Sequence, residues 1–221
     1  MTTCDQRRSG REAGFTLLEM VIALVIVAIM VATAMPLASA LVQSDRRSEA
    51  VRELADIADA LQSHWFERAA FPATLAEGTF LGVHLQPGVR NGGIEDPFGQ
   101  GQQYAYAIDV PNGTAMVWSR GENGVDDGFA NEEFVVQIHA AVPGLKKTWQ
   151  RLRLIVELLA DHIESGGSVA GTWSTVRAAI GLGAEFDFDG FGSTFDWAES
   201  THTLRSAGPD RTFGTADDIT L

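Results

Sequence analysis

The chain opens into three kinds of pattern: one long apolar run, an amphipathic stretch after it, and a series of short alternating segments. Between residues 20 and 42 there is no charged side chain. At about 1.5 Å per helical residue, such a run can cross a hydrocarbon core of roughly 30 Å. Beyond it, Val51, Leu54, Ala55, Ala58, Leu61, Trp65 and Phe66 recur at helical spacing, while Arg46, Arg47, Glu49, Arg52, Glu53, Asp56 and Asp59 fall mostly on the other face. Phe71-Pro72 ends the pattern, because the residue before a proline disfavours helical dihedrals. One helix over residues 15–69 is predicted. Residues 70–100 are rich in Gly and Pro and read as loop. Strands are expected over 103–110, 114–120 and 133–141, with Asn112-Gly113 turning the first hairpin and Pro143-Gly144 closing the unit. A second amphipathic helix is predicted over 146–164. Its stripe is Trp149, Leu152, Ile155, Val156, Leu159 and Ile163, and Gly166-Gly167 stops it.

The second half echoes the first. Residues 74–82 and 175–183 share spacing, with Leu81-Gly82 matching Leu182-Gly183. Asp96-Pro97-Phe98-Gly99, followed by Tyr104 and Tyr106, parallels Asp189-Gly190-Phe191-Gly192, followed by Phe195 and Trp197. Ser119-Arg120-Gly121 before Asp126-Asp127 parallels Ser206-Ala207-Gly208 before Asp217-Asp218. The shared order points to two tandem copies of one helix-plus-sheet unit. The alternative is chance likeness among Gly- and Asp-rich loops, with the later residues an addition to a single head.

Composition narrows the partners. The 221 residues carry a formal net charge of −13; the first 14 contribute +1, so the remainder carries −14. That balance excludes nucleic acid as an expected partner. The single cysteine, Cys4, precedes the apolar run, so no disulfide is expected beyond it. Arg7, Arg8 and Arg11 place the N-terminal end in the cytoplasm and the bulk of the chain outside, by the positive-inside bias.

The chemistry concentrates at the start of the apolar run. Glu19 is a lone carboxylate inside a membrane-length segment, five residues after Gly14. Such a charge is costly in lipid and needs a partner. The stretch from Gly14-Phe15-Thr16-Leu17-Leu18-Glu19 through Pro36 resembles the N-terminus of type IV pilins and type II secretion pseudopilins. The resemblance implies cleavage by a prepilin peptidase between Gly14 and Phe15, methylation of Phe15, and a Glu19 that pairs with the freed amine of a neighbouring subunit. It implies a homo- or hetero-oligomeric filament of pilins or pseudopilins, anchored in the bacterial inner membrane with its head in the periplasm. The expected architecture is α+β: a leader over 1–14, a membrane or filament-core helix over 15–42, a first pilin-like head with a small antiparallel sheet over 43–144, and a second pilin-like repeat over 145–221.

Two rival readings of the N-terminal segment remain. It could be an ordinary signal anchor with a stray glutamate, or a secretory signal cut after Ala40 in Ala38-Ser39-Ala40. The apolar run exceeds the roughly 7–15 residues of a usual signal core, which favours the pilin reading. A membrane-tethered ligand-binding or adhesive protein using the same export signal is the alternative of a different class.

The closing run from Ser206 to Asp218 resembles the C-terminal loop of the major pseudopilin, in which a calcium ion orders the head. The resemblance implies Asp210 and Asp217, with Asp218 nearby, as calcium ligands; Asn123, Asp126 and Asp127 are the counterparts in the first copy. Hard cations take several oxygens, which an Asp/Ser/Thr/Gly loop supplies. Arg211 departs from the pattern, which often has glycine there; a bulky side chain resists a positive φ. No HExxH, CxxC or GxSxG occurs, and His64, His84, His139, His162 and His202 lack metal-ligand spacing. Glu185, Asp187 and Asp189 read as a solvated acidic loop, with a glycosidase-like pair as the lesser alternative. No enzyme is expected.

Overall fold

A computed structural model describes residues 16–86, 94–99, 101–126 and 134–220. The protein is α+β, a long N-terminal apolar helix followed by small antiparallel sheets. The chain divides into two units, one ending at Asp45 and one beginning at Arg46.

In the first unit every described residue is exposed and, from Leu17 onward, helical. This is the beginning of α1 (Leu17–Arg68). Thr16 caps it: the Glu19 N–H donates to the Thr16 hydroxyl at 3.3 Å and to its carbonyl at 3.0 Å. Pro36 lies inside the helix without ending it. A proline supplies no N–H to the preceding turn. Nearby hydroxyls take up local carbonyls: Thr33 donates to those of Ile29 and Met30, and Ser39 donates to that of Pro36. By length and composition this helix can cross a membrane.

In the second unit α1 buries Ala50, Leu54, Ile57, Ala58, Ala60, Leu61, His64 and Trp65. The predicted stripe is rotated: Val51 and Ala55 are exposed, and Ile57 and His64 turn inward. The cause is what packs there. Leu75, Phe80, Leu85, Ile94, Tyr104, Val117 and Ile138 close over the Leu54–Ile57–Leu61 side in one core cluster.

The first sheet contains β1 (Ala105–Asp109), β2 (Thr114–Trp118) and β3 (Val135–His139), antiparallel in chain order. Its register runs from Ala105↔Trp118 to Asp109↔Thr114, and from Thr114↔His139 to Trp118↔Val135. The hairpin turn uses Asn112-Gly113 as expected, within a loop over 110–113 in which Gly113 has φ 59°. The third strand is shorter than predicted, because α2 (Ala141–Glu164) begins at once. Pro143-Gly144 opens this helix rather than closing the sheet; in a first turn the missing proline N–H has no intrahelical acceptor to lose.

On α2, Leu152 and Ile155 are buried against α3 (Trp173–Ala179) and a second sheet, and buried Thr148 accepts the Gly190 N–H at 2.9 Å. Trp149, Val156 and Ile163, predicted inward, are exposed. That sheet is too small to cover them: β4 (Asp196–Ala198), β5 (Thr203–Ser206) and β6 (Ile219–Thr220) are antiparallel in chain order, and the last has 2 residues. Trp173, Val176, Phe195, Leu204 and Ile219 make the core between them.

Candidate functional site

Glu19 stands in the first turn of α1, where a carboxylate is favoured by the helix N-terminus. Thr16-x-x-Glu19 has the spacing of a capping box, and the Thr16 half of it is formed. Leu17, Leu18, Met20, Val21 and Ile22 surround Glu19 with exposed apolar side chains. Gly14 and Phe15, the expected processing pair, lie outside the described residues.

The two head loops are built on matching polar centres. Asp96 is 2% exposed and accepts from the Phe98 N–H at 3.0 Å, the Ser119 hydroxyl at 2.8 Å and the Arg120 N–H at 2.6 Å. Asp189 is 1% exposed and accepts from the Phe191 and Ser193 N–H groups, both at 2.9 Å, and the Ser206 hydroxyl at 2.7 Å. Each serine oxygen in turn accepts the amide of a glycine two residues on, Gly121 or Gly208. Asp189 is therefore no part of a solvated acidic loop, as its sequence neighbours suggested. Asp187 pairs with Arg177 at 2.6 Å, and Glu185 is exposed.

The turns beyond these centres also match. Gly121 and Gly208 have φ 65° and 67°, and Gly124 and Arg211 have φ 68° and 58°. Gly124 N–H donates to the Gly121 carbonyl at 3.1 Å, and Arg211 N–H to the Gly208 carbonyl at 3.2 Å. Arg211 thus adopts the conformation it was expected to resist, and its guanidinium lies 5.8 Å from the Trp65 ring centroid. Likeness is weaker upstream. Leu75 and Val176 are both buried, but 175–179 is helical where 74–78 is not, and the positive φ falls on Gly82 in one and Gly181 in the other.

The calcium candidates are only partly gathered. Asp217 accepts from the Asp210 N–H at 3.1 Å and from the Thr215 hydroxyl at 2.5 Å. The Thr215 bond, then the Asp210 amide, hold its carboxyl below the usual range. Asp210 accepts the Thr212 N–H at 2.8 Å. Asp218 accepts the Gly214 N–H at 2.9 Å and lies 3.8 Å from Arg205; its Oδ1 is buried with no hydrogen-bond partner. In the first loop, Asn123 accepts the Val125 N–H, Asp126 accepts the Trp118 indole N–H at 3.2 Å, and Asp127 lies outside the described residues. Among the described residues no three His, Cys, Asp or Glu side chains are grouped to hold a metal ion.

The prokaryotic N-terminal methylation motif matches residues 9–35, a stretch that contains Gly14, Phe15 and Glu19. This is the type IV pilin and pseudopilin signal, followed here by the long apolar helix it requires. The match supports a pilin-like exported protein. No curated protein and no solved structure matches the chain.

Proposed function

We propose that this chain is a structural subunit of a helical filament of a type II secretion system or a related type IV pilus machine. The observation that carries the reading is a single carboxylate, Glu19, at the head of an apolar helix whose described residues up to Asp45 are all exposed. Such a surface requires lipid or other helices, and such a charge requires a cation. The amine freed on Phe15 by cleavage after Gly14 would meet that need in a neighbouring subunit, neutralising both charges and fixing the axial stagger. Before assembly the helix holds the subunit in the inner membrane, with the acidic head in the periplasm. The chain's own residues do no chemistry in this role; a prepilin peptidase processes it.

The N-terminus and intact mass of protein recovered from membranes test the processing step, with methylated Phe15 expected. A chain beginning at Leu41 would sink the reading. Glu19→Ala is expected to leave processing and membrane insertion intact while abolishing sedimentable filaments.

Calcium at the C-terminal loop is a further part of this proposal. Asp210 and Asp217 would supply carboxylates and the loop its carbonyls, and the unpartnered Asp218 Oδ1 supports a cation nearby. At a calcium concentration of about one hundred times Kd, the head should gain about 2.7 kcal/mol. Asp217→Asn should remove most of that gain in thermal unfolding; equal melting temperatures with calcium and with chelator in the unsubstituted chain would exclude the ion.

A further inference from the structure

The face of α2 that the second sheet leaves uncovered is patterned. Val142, Trp149, Val156 and Ile163 are 61%, 50%, 43% and 53% exposed. They stand seven residues apart, so they form one stripe close to parallel with the helix axis, the repeat against which a second helix packs. Four residues on from the first two stand Lys146 and Arg153, both exposed. The other two cations of this helix are engaged inward. Lys147 donates to the Glu67 carbonyl at 3.0 Å, and Arg151 to those of Phe188 and Asp189 at 2.5 and 3.1 Å.

We infer that this stripe docks on the α1 segment around Val51–Asp59 of a second copy of the chain, an inference that rests on the filament reading. Charge selects the occupant. An antiparallel α2–α2 pair would bring Arg153 toward its own counterpart, which like-charge repulsion disfavours. A lipid surface draws about 1 kcal/mol from each cation near it; here only Lys146 and Arg153 are exposed, Lys146 already lies 6.0 Å from the Phe66 ring centroid, and Glu157, Asp161 and Glu164 follow on the same helix. The α1 segment offers the complement. Val51 and Ala55 are exposed apolar positions one turn apart, and Asp56 and Asp59 lie exposed beside them, against one cation, Arg52. The stripe and its complement border one groove of the chain, lined by Asp59 on one side and by Val142 and Lys146 on the other, so a second copy seated there meets both at once.

Disulfide capture tests this in membranes, on full chains in which Cys4 is serine. Two versions are made together, one carrying Trp149→Cys and the other Ala55→Cys. A covalent dimer is expected only when both are present. Adding Lys146→Glu and Arg153→Glu to the first should lower its yield at least tenfold, and Asp56→Lys with Asp59→Lys in the second should restore it. A dimer from Trp149→Cys alone would assign the stripe to self-pairing and overturn the inference. So would lipid-like emission from a fluorophore at that cysteine. No dimer, with Glu19-dependent filaments still formed, would overturn the inference and leave the filament reading standing. No filaments from the unsubstituted chain would remove both.

Discussion

Asp96 and Asp189 hold their loops through oxygens alone. Each faces backbone and hydroxyl donors at 2.6–3.0 Å in a site almost without solvent. An asparagine would turn an amide N–H toward a donor, leaving buried groups unpaired. Asp189→Asn should therefore cost about 2–3 kcal/mol in urea unfolding. Asp187→Asn, which keeps an oxygen that can accept from the part-buried Arg177 guanidinium, should cost less, about 1 kcal/mol. His64 is a second buried titratable group. Its Nδ1 lies 2.9 Å from the Ala70 carbonyl, so the proton belongs on Nδ1, and its Nε2 is buried without a partner. Burial pushes its pKa down; the Ala70 carbonyl raises it, His84 and Arg68 lower it, and Glu77 raises it, while Glu67 faces the neighbouring His84. The unfolded chain takes up a proton below about pH 6.5 that the folded chain resists, so stability falls as pH drops through that value. His64→Gln should flatten the melting temperature between about pH 7 and about pH 5 relative to the unsubstituted chain. Glu19 was legible because its charge contradicts its surroundings. The burial of Asp96 and Asp189 was not: acidic letters among glycines read as solvated turns, although the repeated Asp-x-Phe-Gly and Ser-x-Gly spacings were in view.

Helices and strands were legible where one periodicity ruled. The end of α1 near Ala69 and the hairpin at Asn112-Gly113 fall where pattern and turn chemistry put them. The start of α2 was hidden because Pro143-Gly144 signals both a stop and a first turn, and only the chain's path after β3 decides between them. Amphipathic stripes show that a helix buries one face but not how wide its partner is, which is why Trp149 was misplaced. Close approach was equally invisible. A Cβ on Gly190 would overlap the carbonyl oxygen of Gly144, and one on Gly144 would overlap the Phe191 ring. Backbone yields little, so Gly190→Ala should cost about 1–3 kcal/mol, read as a lowered urea midpoint with unchanged slope. Gly78→Ala, with open space around it, serves as the control.

At the scale of the molecule, the membrane-length helix followed from pattern, and the α+β class from pattern together with the pilin resemblance. The recurrence of a helix, a buried aspartate, a serine and a left-handed turn in both halves of residues 46–220 supports the proposal that the head arose by tandem duplication. The two halves differ in their sheets, 5-residue strands in the first against strands of 3, 4 and 2 residues in the second. The small size of the second sheet is what leaves the outer stripe of α2 exposed. The bare first half of α1 has a different consequence. It carries its solvent requirement wherever the subunit goes, so in the proposed filament a subunit leaving the assembly cannot diffuse away through water. On that proposal it would pass directly from helical neighbours to lipid, and the bilayer would act as a reservoir from which the same molecules are drawn out and returned without new synthesis.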